Sequence, residues 1–129
     1  MDRISPTPEG AKLVIGRIRN IADDVWTDPD STAARVWQVL NPLVRGCKNI
    51  VADADYLNIE GVPVSADLMT IIGSLSQEER QIREIADQEE DDERAQHLMA
   101  IAQSINEAVN EILIARNARF GEEIVPDYI

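Results

Sequence analysis

The chain has 129 residues, one cysteine, five aromatic side chains, and 24 acids against 12 Lys/Arg. That length suits one domain with a mainly aliphatic core, and a formal charge of −12 excludes a phosphate-neutralising surface for nucleic acid, which must be basic. One cysteine leaves no intrachain disulfide or thiolate metal cluster, and no apolar run reaches the roughly 20 residues of a membrane span.

The charge is lopsided. Residues 1–60 hold nine acids against seven Lys/Arg, and residues 61–129 hold fifteen acids against five Arg. An acidic surface of this kind suits a basic protein partner or cations. Leu13–Ile15 is followed at once by Gly16-Arg17, so the start of the chain lacks a signal-peptide core, and a cytoplasmic protein is expected.

In chain order, residues 1–7 read as an N-terminal arm. Thr7-Pro8-Glu9 has the form of a helix start, with Thr7 as N-cap and proline in the first turn. A first helix to about Trp26 carries the apolar stripe Ala11, Val14, Ile15, Ile18, Ile21, Ala22 and Val25, and Gly16 is a candidate for a close crossing. Thr27-Asp28-Pro29-Asp30 is a turn, with Asp30 or Ser31 capping a second helix. Its stripe runs Ala33, Val36, Trp37, Leu40, Leu43, Val44, Cys47, Ile50, Val51 and Ala54. Pro42 lies inside this series without shifting its phase, which predicts a kinked helix or two coaxial ones with Asn41 as a cap. Residues 58–64 form a connection, and Ser65 caps a short helix from Ala66 to about Ser74.

Ser76 to Phe120 contains neither Gly nor Pro. Ser76 with Glu79 forms a capping box, and Gly121 stands where a left-handed C-cap fits. From Leu98 the apolar positions Leu98, Ile101, Ala102, Ile105, Ala108, Val109, Ile112 and Ala115 make one face. A helix over 77–119 is about 64 Å long at 1.5 Å per residue, against a radius of gyration of about 14 Å for a compact domain of this size. Such a rod either pairs with another chain or breaks. Ile82 and Leu98 lie about 160° apart around it, so its halves bury opposite sides. A straight rod bridges two partners, and a broken one folds into two helices with the break near Asp87–Glu93. The expectation adopted is the continuous rod in a homo-oligomer, a dimer favoured, with Leu98, Ile101, Ala102, Ile105, Val109 and Ile112 at the oligomer interface. The tail 121–129 then docks on the bundle or on a second chain.

The fold class is therefore all-α: a single domain over 1–129, a bundle of four to five helices with one long C-terminal helix. The leading candidate site is the acidic block, Asp87, Glu89, Glu90, Asp91, Asp92 and Glu93. Like charges three and four residues apart on a helix destabilise it by a few tenths of a kcal/mol each. A basic partner surface offsets that repulsion, and a row of carboxylates along a rigid helix can occupy a groove built for phosphates. The expected function is a non-enzymatic acidic binding protein, an inhibitor, decoy or adaptor acting as a nucleic-acid mimic on a basic or nucleic-acid-binding protein. Small acidic helical decoys are common in viral counter-defence, an analogy of class only.

Two alternatives stand beside it. Arg17, Arg19, Arg35, Arg45 and Lys48, if clustered, line pockets for a small anionic ligand in an oligomer. Glu93 and His97, at i and i+4, can share a metal, although the di-iron bundle pattern is Glu-x-x-His and Arg94 occupies that place. Glu90-x-x-Glu93 departs from the pattern of magnesium-dependent nucleotide pyrophosphatases, since Glu107 is followed at the same spacing by Asn110 rather than Asp. No cofactor is expected. A lone His and a lone Cys are poor material for nucleophilic catalysis, so an enzyme is the less favoured reading, and Cys47, Trp26 and Trp37 read as core.

Overall fold

The structure is a computed structural model, in which the backbone of residues 5–24, 27–52 and 64–124 and the side chains of 5–24, 27–52 and 67–118 are described. Among these residues the chain forms four α-helices and no strand: α1 (Pro8–Asp23), α2 (Pro29–Ala52), α3 (Val64–Gln88) and α4 (Asp92–Ile124). Val25, Trp26, the connection at 58–63 and the last five residues of the expected docked tail lie outside them. No helix of the described residues is long and apolar enough to cross a membrane.

Thr7 caps α1 as expected, its hydroxyl accepting from the Gly10 N–H at 3.1 Å, with Pro8 at the helix start. The position that requires a glycine is Gly10, where a Cβ would overlap the Ser5 carbonyl oxygen. Gly16 faces open space, so the close crossing expected there is absent. The cap of α2 is Asp28, not Asp30 or Ser31. Its carboxylate accepts from the Asp30 N–H at 3.0 Å and the Ser31 hydroxyl at 2.9 Å. The Asp-Pro turn places Asp28 ahead of a proline whose missing N–H needs no partner. α2 runs through Pro42 as one helix. Pro42 and Gln38 are both exposed, so the carbonyl that loses its hydrogen bond to the ring is on the solvent side.

The largest departure from expectation is in the second half. The short helix that was to end near Ser74 and the helix that was to begin at Ser76 are one, α3. Leu68, Ile71, Ile72, Leu75, Ile82 and Ala86 are all buried, so a single stripe crosses the supposed boundary. Glu79 does not close a capping box on Ser76; it bonds Arg83 at 2.7 Å and lies 3.4 Å from the Asn106 amide. The continuous rod over 77–119 is also corrected, because the helix stops at Gln88 and restarts at Asp92. The physical reason is the phase of the apolar residues. Two faces on opposite sides of a straight rod can enter one core only if the rod folds back on itself. α4 then runs through Gly121 to Ile124 rather than ending there.

α4 packs extensively against α2 and α3, and α1 closes the bundle against α2 and α3. The order around the bundle is therefore α1, α2, α4, α3. Partner positions give the directions. Thr32 meets His97 and Lys48 meets Glu111, so α2 and α4 run parallel. The bond from Arg94 to the Ala22 carbonyl sets the end of α1 beside the start of α4. The core is aliphatic, with Val14, Ile18, Leu40, Leu43, Leu68, Ile71, Leu75, Ile101, Ile105 and Ile112 almost wholly enclosed. Burying each such side chain contributes about 1.5–3 kcal/mol.

A candidate acidic pole and the groove beside it

The end of α1, the start of α2, the end of α3 and the start of α4 converge on one end of the bundle. Ten acids meet there. Asp23, Asp24, Asp28 and Asp30 come from the α1–α2 connection, and Asp87, Glu89, Glu90, Asp91, Asp92 and Glu93 from the α3–α4 connection; all but the half-buried Glu89 are exposed. Arg35 and Arg94 lie among them, each bonded to an acid: Arg35 to Asp24 at 3.3 Å and Arg94 to Glu89 at 3.0 Å. The expected block is thus a corner and not a row along a helix. Charge in that block acts on the fold in two opposed ways.

Part of it builds structure. Asp91 caps α4, accepting from the N–H groups of Glu93 at 2.9 Å and Arg94 at 3.2 Å, while its carbonyl accepts from Ala95. Asp92 and Glu93 follow in the first turn, where the positive end of the helix dipole favours them. Glu89 accepts weakly from the Asp91 N–H at 3.3 Å. The same logic holds at α2, where Asp28 is the cap. Hydrogen bonds, first from the Ser31 hydroxyl and then from the Asp30 N–H, hold the Asp28 carboxyl below its usual range. The rest of the charge opposes structure. Asp23 and Asp87 stand at the C-terminal ends of α1 and α3, where the dipole is negative and an acid costs about 0.3–1 kcal/mol.

His97 sits beneath this pole, 5% exposed. Its Nδ1 is 2.9 Å from the Thr32 hydroxyl, which is also 3.3 Å from the Asp28 carbonyl. When the hydroxyl donates to that carbonyl, Nδ1–H donates to the hydroxyl and the Nε2 lone pair is left over. When the hydroxyl donates to Nδ1, Nε2–H is left over. In both arrangements a buried ring nitrogen has no partner. His97 is thus enclosed within the single chain. Glu93, its proposed co-ligand, is exposed at the helix start. Among the described residues no group of three or more His, Cys, Asp and Glu side chains is placed to hold a metal ion.

The five candidate cations Arg17, Arg19, Arg35, Arg45 and Lys48 do not form one cluster. Arg19 reaches across to α3 and grips the buried Glu78 with two bonds, at 2.7 and 3.0 Å. That bond is what raises the Arg19 pKa further. Lys48 bonds Glu111 at 2.6 Å, and Arg45 is exposed on α2. Arg17 and Arg35 share a groove of about 370 Å³ between α1 and α2, with Asn20, Ile21, Asp24, Gln38 and Val39.

The expected oligomer interface is already covered. Leu98, Ile101, Ala102, Ile105, Val109 and Ile112 are no more than 7% exposed within a single chain, because α2 and α3 fill the side of α4 assigned to a second copy. Cys47 is enclosed in the same core, and burial pushes its thiol up to about 12. It therefore presents no thiolate nucleophile. Trp37 packs half-buried against that core. Sequence reasoning missed the acids of the first connection. Asp28-Pro29-Asp30 was visible as a turn and Asp23-Asp24 as part of the first helix, but both lie far along the chain from the block they join. Comparison with protein-family models, curated proteins and solved structures gives no match.

Proposed function

We propose that this chain is a non-enzymatic binding protein whose acidic pole docks on a basic surface of another protein, as an inhibitor, decoy or adaptor. The observation that carries the reading is the charge at the ends of α1 and α3. Asp23 and Asp87 stand where the helix dipole disfavours an acid, yet they complete a cluster built from two distant connections. Charge that opposes folding is best accounted for by an interaction outside the fold. Fixed helix ends hold these carboxylates in place, so little ordering remains to be done on binding, and opposite charge steers the encounter. A protein that binds nucleic acid fits this pole through the side it presents to phosphates.

The reading does not need a second copy of the chain, since the apolar seam is filled internally. Its test is affinity capture of basic proteins at low and high salt, with wild type and with the combined variant Asp87→Asn, Glu90→Gln, Asp92→Asn and Glu93→Gln. A captured basic protein is expected to be released by salt, because exposed charges are screened beyond about 8 Å at physiological ionic strength, and to be lost with the variant. Retention that ignores both salt and the four substitutions rejects the reading.

A further inference from the structure

We infer that Ser5-Pro6-Thr7 is a latch, and that the start of α1 is the part of the bundle that opens when the latch lifts. The segment precedes α1 and lies against α2, and a glycine of each helix receives it. At Gly10 on α1 a Cβ would overlap the Ser5 carbonyl oxygen. That carbonyl is fixed in place, because it accepts from the Thr7 N–H at 2.8 Å. At Gly46 on α2 a Cβ would stand 3.1, 3.3 and 3.4 Å from three carbons of the Pro6 ring. Gly16 and Gly73, by contrast, face open space. Glycine is less favourable than alanine inside a helix. At Gly10 and Gly46 the missing side chains are what let the segment come close.

The two ends of α1 are held by different means. Toward the acidic pole, Arg19 grips Glu78 of α3 through two bonds, at 2.7 and 3.0 Å. Glu78 is only 4% exposed, and parting the pair would strand a buried carboxylate, which is costly. Arg94 of α4 adds its bond to the Ala22 carbonyl. At the other end the latch meets α2 through the Pro6 ring on Gly46, an apolar contact that is weak taken singly. α1 also packs less extensively on its neighbours than α4 does, and sparse packing marks the elements that open locally before the whole fold does. Opening from the latch end uncovers Ala11 and Val14, both fully buried in the closed bundle. The pole end of α1, with Asp23, stays in place as the hinge.

The test is native-state hydrogen exchange of the full chain, read at the Lys12, Leu13 and Val14 amides of α1 and the Ala102, Ala108 and Val109 amides of α4. In the wild type, low urea is expected to speed the α4 amides and leave the α1 amides unchanged, because a local opening exposes little surface. Gly10→Ala and Gly46→Val press on the latch from its two sides. Each should speed exchange at Lys12, Leu13 and Val14 about tenfold, the effect of forcing atoms into filled space. Gly16→Ala adds the same methyl group in open space and should not speed it. Ile105→Ala weakens the α4 seam, which stays packed in the opened form. It should therefore speed the α4 amides and leave the α1 amides at the wild-type rate. Equal acceleration of both sets by urea would mean that α1 leaves only with the whole bundle, which overturns the inference and requires no variant. A Gly46→Val chain whose α1 amides exchange as in the wild type overturns it too.

Discussion

The seam from Leu98 to Ile112 and the corner from Asp87 to Glu93 are neighbours in sequence, and they obey different physics. Leu98, Ile101, Ala102, Ile105, Ala108, Val109 and Ile112 repeat at helical spacing and all are buried, while Met99, off that face, is exposed. In the corner, residues of one chemical type take opposed roles: Asp91 starts a helix, Asp87 burdens the end of another, and Glu90 does neither. An apolar side chain in water has one favourable destination. A carboxylate has several: solvent, a helix N-terminus, an arginine or a partner. Periodicity is thus readable where burial decides, and charge is ambiguous until the backbone path is known.

The comparison is tested most severely in the seam itself. Ile105→Ala is expected to cost about 2–5 kcal/mol, the range for emptying a filled aliphatic position, measured by urea unfolding. Because the seam is covered within one chain, the unfolding midpoint should not change with protein concentration. If a second copy supplied the cover, the midpoint would rise with concentration, and the seam would belong to an interface.

Next in size is the link that crosses from seam to corner. Thr32→Val removes the hydroxyl facing His97 Nδ1 and leaves both ring nitrogens buried without partners. That is expected to cost about 1–3 kcal/mol. Thr32→Ser keeps the hydroxyl and should recover most of the loss. A valine variant as stable as the serine one would mean that the contact does not tie α2 to α4.

Cys47 supplies a smaller, pH-dependent effect on the buried side. Burial pushes its folded thiol up from the ordinary cysteine value to about 12. A raised folded pKa means that the stabilisation is whole below pH 9 and declines as pH climbs toward 12, where the unfolded thiol ionises and the folded one does not. Between pH 8 and pH 10 the wild type is expected to lose about 1 kcal/mol more than Cys47→Ala. Parallel losses would mean that the thiol is open to water.

Much of the fold was legible for the same reason that the seam was. The stripes of α1 and α2 and the passage of α2 through Pro42 follow from the phase of residues that must be buried, and the Thr7 cap follows from the local Thr-Pro-Glu start. The break between α3 and α4 was legible too, since Ile82 and Leu98 point opposite ways around a straight helix. The absence of Gly and Pro over 76–120 argued against it, although a helix can end without either when an aspartate offers the next one a cap. The Ser76–Glu79 signature misled because capping patterns also occur inside helices, where only a continuous stripe distinguishes them. Residues of the site were named in part. The second connection was identified, the first was read only as a turn, and neither local pattern nor charge count brings Asp28 beside Glu93. That juxtaposition is tertiary, set by α2 and α4 running side by side from the same end of the bundle.

The smallest effects lie within the corner, where two adjacent acids separate its two roles. Asp91→Ala removes the side chain that accepts from the N–H groups of Glu93 and Arg94, and loss of such a cap costs about 1 kcal/mol. Asp91→Asn keeps an accepting oxygen and should be milder. Glu90→Gln removes a neighbouring exposed charge with no capping bond and should change stability by less than about 0.5 kcal/mol. A stabilising sign is expected, because it relieves repulsion among like charges. Thermal or urea unfolding of these variants reads the difference directly. Were Asp91→Ala as silent as Glu90→Gln, Asp91 would not be starting a helix. The rod would then pass unbroken through the acids, with Ile82 and Leu98 on opposite sides and one of them in need of cover from outside the chain. A clear gap between the two positions instead divides the corner into charge that the fold uses and charge that it does not.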